Sequence, residues 1–394
     1  MQNMSIDIKK VVAKHTDELI SLRRDFHAHP ELGLKEQRTS QIIEDYLNAL
    51  GISTKRYIGT GIVGILTCGR PGKTVMLRSD IDALPIQEQT DLPFSSQNPG
   101  VMHACGHDGH TAIQLITAKI LAQYHKELPG TVIFLFQPNE EDAGAELMIE
   151  AGVLEDTKPE AIFGLHLWPR IQSGKVGIVA GPMMASAYYF KIIIRGKGGH
   201  GGHPDRAINP IDSAVHVLQA IQTMLSMELN AVHPTIISVC KIHAGTKNII
   251  IPETLELEGS IRCLHKNDEM VRNRFQELVE QTCHTNRCTC EISFKCGNSL
   301  VNNDVNLAKM ATSVAEELYG EESIQNGREC MTMGGDDFAE FIQRIPGMFY
   351  YVGSANPRKK TDTENHNPKF ILDEDVLHIG VEMQLGLVLK YLSA

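Results

Sequence analysis

Apolar and polar positions change their period along the first 180 or so residues of the chain. A helical alternation covers about 5–27, and a second one follows His110 and runs to about 127. Three short, mainly apolar runs at 74–78, 131–136 and 161–165 are typical of strands, and the second reads like a strand buried on both faces. Helices that alternate with buried strands predict an α/β domain with a parallel or mixed sheet.

A different pattern begins near residue 185 and ends near 298. Strands and helices are predicted there in the order β-α-β-β-α-β, at 188–195, 210–227, 235–242, 254–262, 268–283 and 288–296. This is the element order of a ferredoxin-like sandwich. We therefore expect an inserted domain at 185–298 and a discontinuous first domain formed by 1–184 and 299–394.

Composition narrows the class of protein. The chain has 394 residues, too many for one ordinary core, and 42% of them are hydrophobic. Acidic residues outnumber basic ones 48 to 37, and the net charge of −11 argues against nucleic-acid and anionic-membrane partners. The sequence has no apolar run of about 18 residues and no apolar signal core at 1–14. Its nine cysteines lack framework spacing, so we expect a cytoplasmic protein that does not cross a membrane.

Groups that bind metal ions are crowded into two short segments. The run 102–110 holds a thiol, three imidazoles and a carboxylate. The acidic run 140–142 follows the strand predicted at 131–136, and single histidines stand at His166 and His366. Such groups are costly to gather unless a cation holds them, and thiolate and neutral imidazole are common ligands of transition metals.

Several polar side chains also fall where open α/β sheets form their sites. They stand at the ends of three predicted strands, namely Asp80 and Asp82, Glu140 and Glu141, and His166. Sites in such sheets form beyond the carboxyl ends of the strands. We therefore expect these side chains to meet at one edge of the sheet.

Five candidate metal ligands emerge: Cys105, His107, Glu141, His166 and His366. Five donors exceed the four that close a structural zinc site, and they suit two divalent ions that share a ligand and a water. Zn, Mn, Co and Ni all accept such a mixed set. Because adjacent side chains diverge, we assign Glu141 to the metal and Glu140 to the role of general base. We expect Asp80 and Asp108 to orient ligand imidazoles.

Two further groups of residues leave alternatives open. His200 lies in a segment with five glycines between 196 and 202, and this loop either stabilises an oxyanion or is a plain surface hairpin. The cysteines Cys283, Cys288 and Cys290 lie close together in the sequence. No second cysteine pair completes a zinc site with them, so buried apolar thiols are the better interpretation.

Longer motifs run through nearly the whole chain. They lie, in order, at 23–27, 30–33, 78–86, 102–108, 137–141, 164–166, 198–201 and 366–368. On these motifs the chain resembles metallopeptidase family M20, and within it the amidohydrolase branch of hippurate hydrolases, N-acyl-amino-acid amidohydrolases and plant auxin-conjugate hydrolases. Residues 335–338 and Asn365 depart from the usual pattern, but neither departure removes a ligand or the base.

The resemblance implies a zinc-exopeptidase-like catalytic domain with an inserted ferredoxin-like lid that often mediates dimerisation. It gives the metals to the five ligands named above and the role of base to Glu140. It implies that His200 contacts the substrate or its oxyanion, and it puts Asn248 near a position that contacts substrate in relatives.

We therefore predict a dinuclear metal amidohydrolase that cleaves N-acyl amino acids, of the hippurate or N-acetyl type, to a carboxylic acid and a free amino acid. The expected partners are this small-molecule substrate and other copies of the chain, bound through the lid in a homodimer or higher homo-oligomer. The alternatives are a dipeptidase or aminoacyl peptidase of the same clan, a non-catalytic metal-binding sensor and a purely structural metal. A sensor should lack a ligand or the base, and neither is missing here.

Overall fold

The computed structural model describes residues 6–394, and the chain divides into two compact units. The first unit comprises the chain as far as Gly181 together with Asn302–Met331 and Asp336–Ala394. The second comprises Pro182–Val301 and Thr332–Gly335.

The helices and strands are as follows. The helices are α1 Ile8–Val12, α2 Thr16–Ala28, α3 Gln37–Ala49, α4 His107–Tyr124, α5 Gly144–Glu150, α6 Val153–Thr157, α7 Pro210–Thr223, α8 Asp268–Thr285, α9 Val305–Tyr319, α10 Phe338–Ile342 and α11 Leu377–Ser393. The strands are β1 Ser53–Tyr57, β2 Gly61–Thr67, β3 Arg70–Asp80, β4 Pro129–Gln137, β5 Ala161–Gln172, β6 Val176–Gly177, β7 Gly181–Met184, β8 Ser186–Arg195, β9 Gly199–His200, β10 Thr235–Ala244, β11 Ile250–Ile251, β12 Thr254–Cys263, β13 Thr289–Cys296, β14 Val301–Asn303, β15 Ile324–Gln325 and β16 Gly347–Ala355.

The first unit is built on an eight-stranded mixed sheet in the order β1-β2-β4-β3-β5-β16-β6-β15. Its four central strands, β4, β3, β5 and β16, run parallel, while β1 and β2 join antiparallel at one side. The run 131–136 lies inside β4, and five of its six side chains are buried, as expected for a central strand. The α/β class and the mixed sheet predicted from the sequence are confirmed.

Helix α4 is the most enclosed helix of the first unit. Fourteen of its 18 residues are buried, polar ones such as Gln114 and Thr117 among them, and it contacts α2, α3, α11 and β3. A helix buried on nearly all sides depends on the elements that cover it. The first turn of α4, which carries His107, Asp108 and His110, is therefore fixed by packing rather than by local propensity alone.

The second unit is an antiparallel four-stranded sheet in the order β10-β12-β8-β13, with α7 and α8 packed against it. Alternate residues of β8, Phe190, Ile192 and Ile194, enter its core. Cys283 and Cys288 lie in the same core, and Cys290 packs against it as a half-buried thiol. Element order and sheet order are those of the predicted ferredoxin-like sandwich.

Two helices differ from the sequence prediction. The one expected at 5–27 starts at Ser5, outside the described residues, and a 3-10 turn at Ala13–His15 divides the remainder, because the backbone of His15 leaves the helical region (φ −114°, ψ 7°). The one expected at 210–227 ends as α7 at Thr223 and continues as a π-helical turn, Met224–Glu228. Among residues 6–394, no helix combines the length and the apolar composition needed to cross a membrane.

Candidate metal centre and active site

The parallel strands of the first unit bring their polar residues to one edge of the sheet. Asp80, the last residue of β3, pairs with Gln137 at the end of β4. His166 was expected at the end of its strand, but β5 continues six residues beyond it to Gln172. The register explains why it still reaches the site. Gly164 pairs with Arg78, so His166 lies level with Asp80.

A sharp turn before α4 presents Cys105 and His107. Gly106 stands between them with φ +96°, a left-handed conformation that glycine adopts without a steric penalty. The backbone N–H of His366 donates to the carbonyl oxygen of Ala104 at 2.8 Å. This bond ties the late segment of the chain to the loop, so His366 and Cys105 share one site although 260 residues separate them.

The acidic turn after β4 is held tightly in place. Asn139 and Ala143, on either side of Glu140–Asp142, both have positive φ. A Cβ atom at Gly144 would come within 1.9 Å of the Pro138 carbonyl oxygen, so only glycine fits there. The N–H of Glu141 donates to Asp82 Oδ2 at 3.1 Å. These constraints direct both glutamates of the turn toward the strand ends.

The five predicted ligands converge. Donor atoms of Cys105, His107 and His166 lie within 4.8 Å of one another, and so do those of Cys105, Glu141 and His366. Cys105 Sγ is 3.4 Å from His166 Nε2, and His366 Nε2 is 3.2 Å from Glu141 Oε1. The two groups of donors share the sulfur of Cys105, which is the arrangement expected around two neighbouring cations.

The hydrogen bonds of His107 and His166 involve Nδ1 and leave Nε2 of each ring available to bind a metal ion. Backbone carbonyls of Asp82 and Leu167 accept from Nδ1 of His107 and His166, each at 2.9 Å, so the proton of each neutral ring sits on Nδ1. Their Nε2 lone pairs then face the centre. His107 Nε2 is buried without a hydrogen-bond partner. Because buried polar atoms are normally paired, a cation fits as the missing partner of this atom.

The electrostatics of the centre favour positive charge. The Cys105 sulfur and the Glu141 carboxylate raise the pKa of His366 to about 10, since both stabilise a cation at that ring. A divalent ion would satisfy the same donors. Bound divalent ions would therefore explain why the donor atoms of Cys105, Glu141 and His366 point toward one another, in agreement with the metal pair expected from the residue types.

Asp80 lies behind the candidate ligands and is hydrogen-bonded to residues that surround them. Its carboxylate accepts from His110 Nδ1 at 2.6 Å and from Arg78 at 2.7 Å, and it lies 3.8 Å from His107 Nε2. Burial alone would raise the pKa of Asp80, but His107, His110 and Arg78 outweigh it and hold this pKa well below its usual value. His110 Nε2 accepts from the N–H of Leu167 at 2.9 Å, so Asp80 positions the peptide beside His166 through His110.

Asp108 does not orient a ligand imidazole in the way expected. Its Oδ2 atom is 2.8 Å from Arg23 Nε and 2.8 Å from His27 Nδ1, both on α2. The other ring nitrogen of His27, Nε2, is 3.3 Å from Glu88 Oε1. Because adjacent residues on a helix point in different directions, the Asp108 carboxylate faces α2 rather than the ring of His107, and it anchors the start of α4 to α2.

The residue that orients His107 is Asp82, which the sequence reasoning placed at a strand end but gave no role. Its Oδ1 atom is 3.2 Å from His107 Nδ1, and its Oδ2 atom holds Glu141. We expect Asp82→Ala to weaken metal binding about 10- to 100-fold, as for other partners of metal ligands. Equilibrium dialysis measures this, with the exposed Asp45→Ala as control. Unchanged affinity in Asp82→Ala would remove this role.

Glu140 lies beside the candidate ligands, and a carboxylate oxygen of Glu140 and the donor atoms of His107 and Glu141 lie within 4.8 Å of one another. Its side chain is 9% exposed, and its Oε2 atom is 3.9 Å from His107 Nε2. Burial, and after it the nearby charges of Asp336 and Glu141, raise the pKa of Glu140 well above its usual value. A carboxyl group with a raised pKa beside a metal centre is suited to accept and return a proton near neutral pH.

A buried cluster behind Glu140 was not predicted. Arg78 donates to Asp80 and Asp337, and it lies 3.3 Å from Asp336. Gln137 donates to both oxygens of Asp337 at 2.8 Å. The only sequence signal for the two aspartates was their place in residues 335–338, where the chain departs from the M20 pattern.

His200 and Asn248 belong to the second unit. His200 on β9 pairs with Ile250 on β11, and its Nδ1 accepts from the N–H of Gly202 at 2.9 Å. The neutral ring therefore carries its proton on Nε2. The loop with Asn248 lies next to this pair of strands, because the N–H of Gly201 donates to the carbonyl oxygen of Ile249 at 2.8 Å. Both predicted substrate contacts thus share one exposed corner of the unit.

Known proteins resemble the chain over nearly its full length. A "thermostable carboxypeptidase 1" of Saccharolobus solfataricus is 37% identical over 98% of both chains. An "N-acetylcysteine deacetylase" of Bacillus subtilis is 38% identical over 93% of this chain and 95% of its own. A solved structure of the Bacillus subtilis YXEP protein, described as a dinuclear metal binding peptidase from the M20 family, has a TM-score of 0.84 and 34% identity, and the match covers 97% of this chain and 99% of that one.

The family profile described as peptidase family M20/M25/M40 matches residues 76–390, which include all five candidate ligands. This agrees with the resemblance inferred from the sequence motifs, and with relatives that are named as amide-cleaving enzymes. The chain belongs to peptidase family M20/M25/M40 and is an amide-cleaving hydrolase.

Proposed function

We propose that the protein hydrolyses the amide bond of N-acyl amino acids at a pair of divalent cations. The observation that carries the proposal is the convergence of the five candidate ligands, with the buried carboxyl group of Glu140 beside them. The deacetylase-named relative supports an acyl group as the part removed. Cys105, His107, Glu141, His166 and His366 would hold the ions.

The residues of the chain have separate tasks in this reaction. Two bound cations would polarise the amide carbonyl and bring the pKa of a water to about 7. Glu140 takes a proton from the attacking water and gives it to the leaving amine, for which its raised pKa suits it. For His200 we propose hydrogen bonding to the substrate or its oxyanion, because the neutral ring presents Nε2–H. Asn248, in the neighbouring loop, is proposed as a substrate contact.

Removal of metal gives the first test of this function. We expect a chelator to abolish hydrolysis and return of Zn²⁺, Mn²⁺, Co²⁺ or Ni²⁺ to restore it, since the water depends on the cations for its acidity. Circular dichroism should stay unchanged, because the apolar core of the first unit does not involve the ligands. Full activity after verified removal of metal would refute the proposal, and loss of the fold would point to a structural metal instead.

A peptidase is the second candidate, because one of the relatives bears a carboxypeptidase name. A panel of hippurate, N-acetyl amino acids, dipeptides and longer peptides with free carboxyl ends separates the two. We expect kcat/KM to be highest for N-acyl amino acids. A consistent preference for substrates with a free amino group would favour the peptidase.

We also propose how the chain is organised around this activity. The domain boundaries near 185 and 298 and a homo-oligomer formed through the second unit follow the family resemblance. Ile211 and Val215, one turn apart on α7, are 39% and 47% exposed and offer apolar surface for such contact. Nine free cysteines agree with a reducing, cytoplasmic location.

A further inference from the structure

A column of aromatic rings ends beside a candidate ligand. Phe338, Phe349 and Tyr351 are fully buried, and neighbouring rings contact each other with centroids 5.0 and 6.2 Å apart. Trp168, the only tryptophan of the chain, stacks on Tyr351 at 4.5 Å with 15° between the ring planes. It is the one member of the column that is accessible, because it is half-buried.

Trp168 lies next to the metal centre rather than elsewhere on the surface. His166 and Trp168 are two residues apart on β5, so their side chains share one face of the strand. Their rings meet edge to face at 5.2 Å. The stack on Tyr351 holds the indole in one orientation, so the accessible part of Trp168 forms a preorganised apolar wall beside His166.

The charges around this wall decide which part of a substrate fits it. An N-acyl amino acid has a carboxylate at one end and an acyl group at the other. Arg170, the next residue on the same face, is already paired with Glu364 at 2.8 Å. Arg78 and Arg23 are buried and bound to aspartates. Arg78 and Arg23 therefore offer no free cation for a carboxylate, and the charge of Arg170 is balanced by an exposed partner. The indole itself offers an apolar surface on which an acyl group can stack.

We propose that Trp168 is a specificity-determining residue that packs against the acyl group and makes aromatic acyl groups better substrates than acetyl. This inference rests on the proposed function and deepens it by naming the acyl class. The accessible ring gives an aryl group a flat contact that a methyl group cannot use. Acetyl substrates make little contact with the ring, so removal of the ring should lower their kcat/KM less.

Kinetics on paired substrates test the wall. N-benzoyl and N-acetyl derivatives of the same amino acid are compared for wild type, Trp168→Ala, Trp168→Phe and the exposed control Tyr189→Ala. We expect Trp168→Ala to lower kcat/KM for the benzoyl substrate about 10- to 100-fold, mainly through KM, and to lower the acetyl value by a clearly smaller factor. Trp168→Phe should recover much of the loss, and Tyr189→Ala should match wild type.

Fluorescence tests the same contact without a change at Trp168. Because the chain has one tryptophan, its emission reports this site alone. In metal-loaded Glu140→Gln, which binds without turnover, the N-benzoyl substrate should change the emission saturably at lower concentration than the N-acetyl substrate.

The outcomes separate the two proposals. An active wild type whose benzoyl and acetyl rates fall equally in Trp168→Ala, or whose emission ignores both substrates, overturns the acyl wall and leaves the hydrolase standing. A wild type that cleaves no N-acyl amino acid overturns both. If Trp168→Ala does not fold, Trp168→Phe and the emission of Glu140→Gln still decide.

Discussion

Glu140→Gln is expected to lower kcat about 10²- to 10⁴-fold while the protein keeps its full complement of metal. The amide has nearly the shape of the carboxylate, but it cannot accept the proton of the attacking water. The five proposed ligands should be undisturbed, because the glutamine side chain fills the same space beside His107, whose Nε2 atom is 3.9 Å from Glu140 Oε2. Steady-state kinetics together with elemental analysis of the same sample measure both quantities.

The matched control is Glu150→Gln, on the exposed end of α5 a few residues further along the chain. It makes the same chemical change away from the centre and should keep wild-type kcat. Near-normal kcat in Glu140→Gln would eliminate Glu140 as the base. A fall in both metal content and kcat would instead make it a ligand.

Arg78→Met is expected to lower the free energy of unfolding by about 3–5 kcal/mol, because it leaves buried carboxylates without their partner. Arg78 is fully buried and contacts Asp80, Asp336 and Asp337 within 3.3 Å. In the variant, the folded state would hold unpaired carboxyl groups whose pKa lies above that of the unfolded chain. The deficit should therefore shrink as the pH falls, since these groups then take up protons.

Urea denaturation of Arg78→Met across a pH series measures this effect. Arg344→Met serves as control, because Arg344 and Glu146 form an ion pair whose side chains are 37% and 39% exposed. An ion pair as exposed to solvent as this one should contribute about 0–1 kcal/mol to the free energy of unfolding. A deficit as small for Arg78→Met as for Arg344→Met would show that the buried cluster is not held by its arginine.

The sequence predicted the elements that depend on local pattern. The buried run of β4, the β-α-β-β-α-β order of the second unit and the donors Cys105 and His366 follow from periodicity and residue type. Periodicity did not show that β5 runs past His166, because strand length depends on pairing with β16. His166, which was expected at the end of its strand, therefore lies inside it.

The partners of the ligands could not be predicted from the sequence for a related reason. Asp80, Asp82 and Asp108 are all acidic residues beside the centre, and spacing does not tell which faces an imidazole. In the structure, Asp82 contacts His107, Asp80 contacts His110, and Asp108 contacts Arg23. These assignments depend on side-chain directions and on contacts between segments far apart in the chain.

The central claim is that donors from Cys105 to His366 hold two divalent cations. Calorimetric titration of the metal-free protein with Zn²⁺ tests it most directly, with Cys105→Ala titrated in parallel because both donor groups share that sulfur. We predict two bound ions per chain in the wild type and weakened binding of both in the variant. Saturation at a single ion, or two ions bound equally tightly without the Cys105 thiolate, would contradict the account.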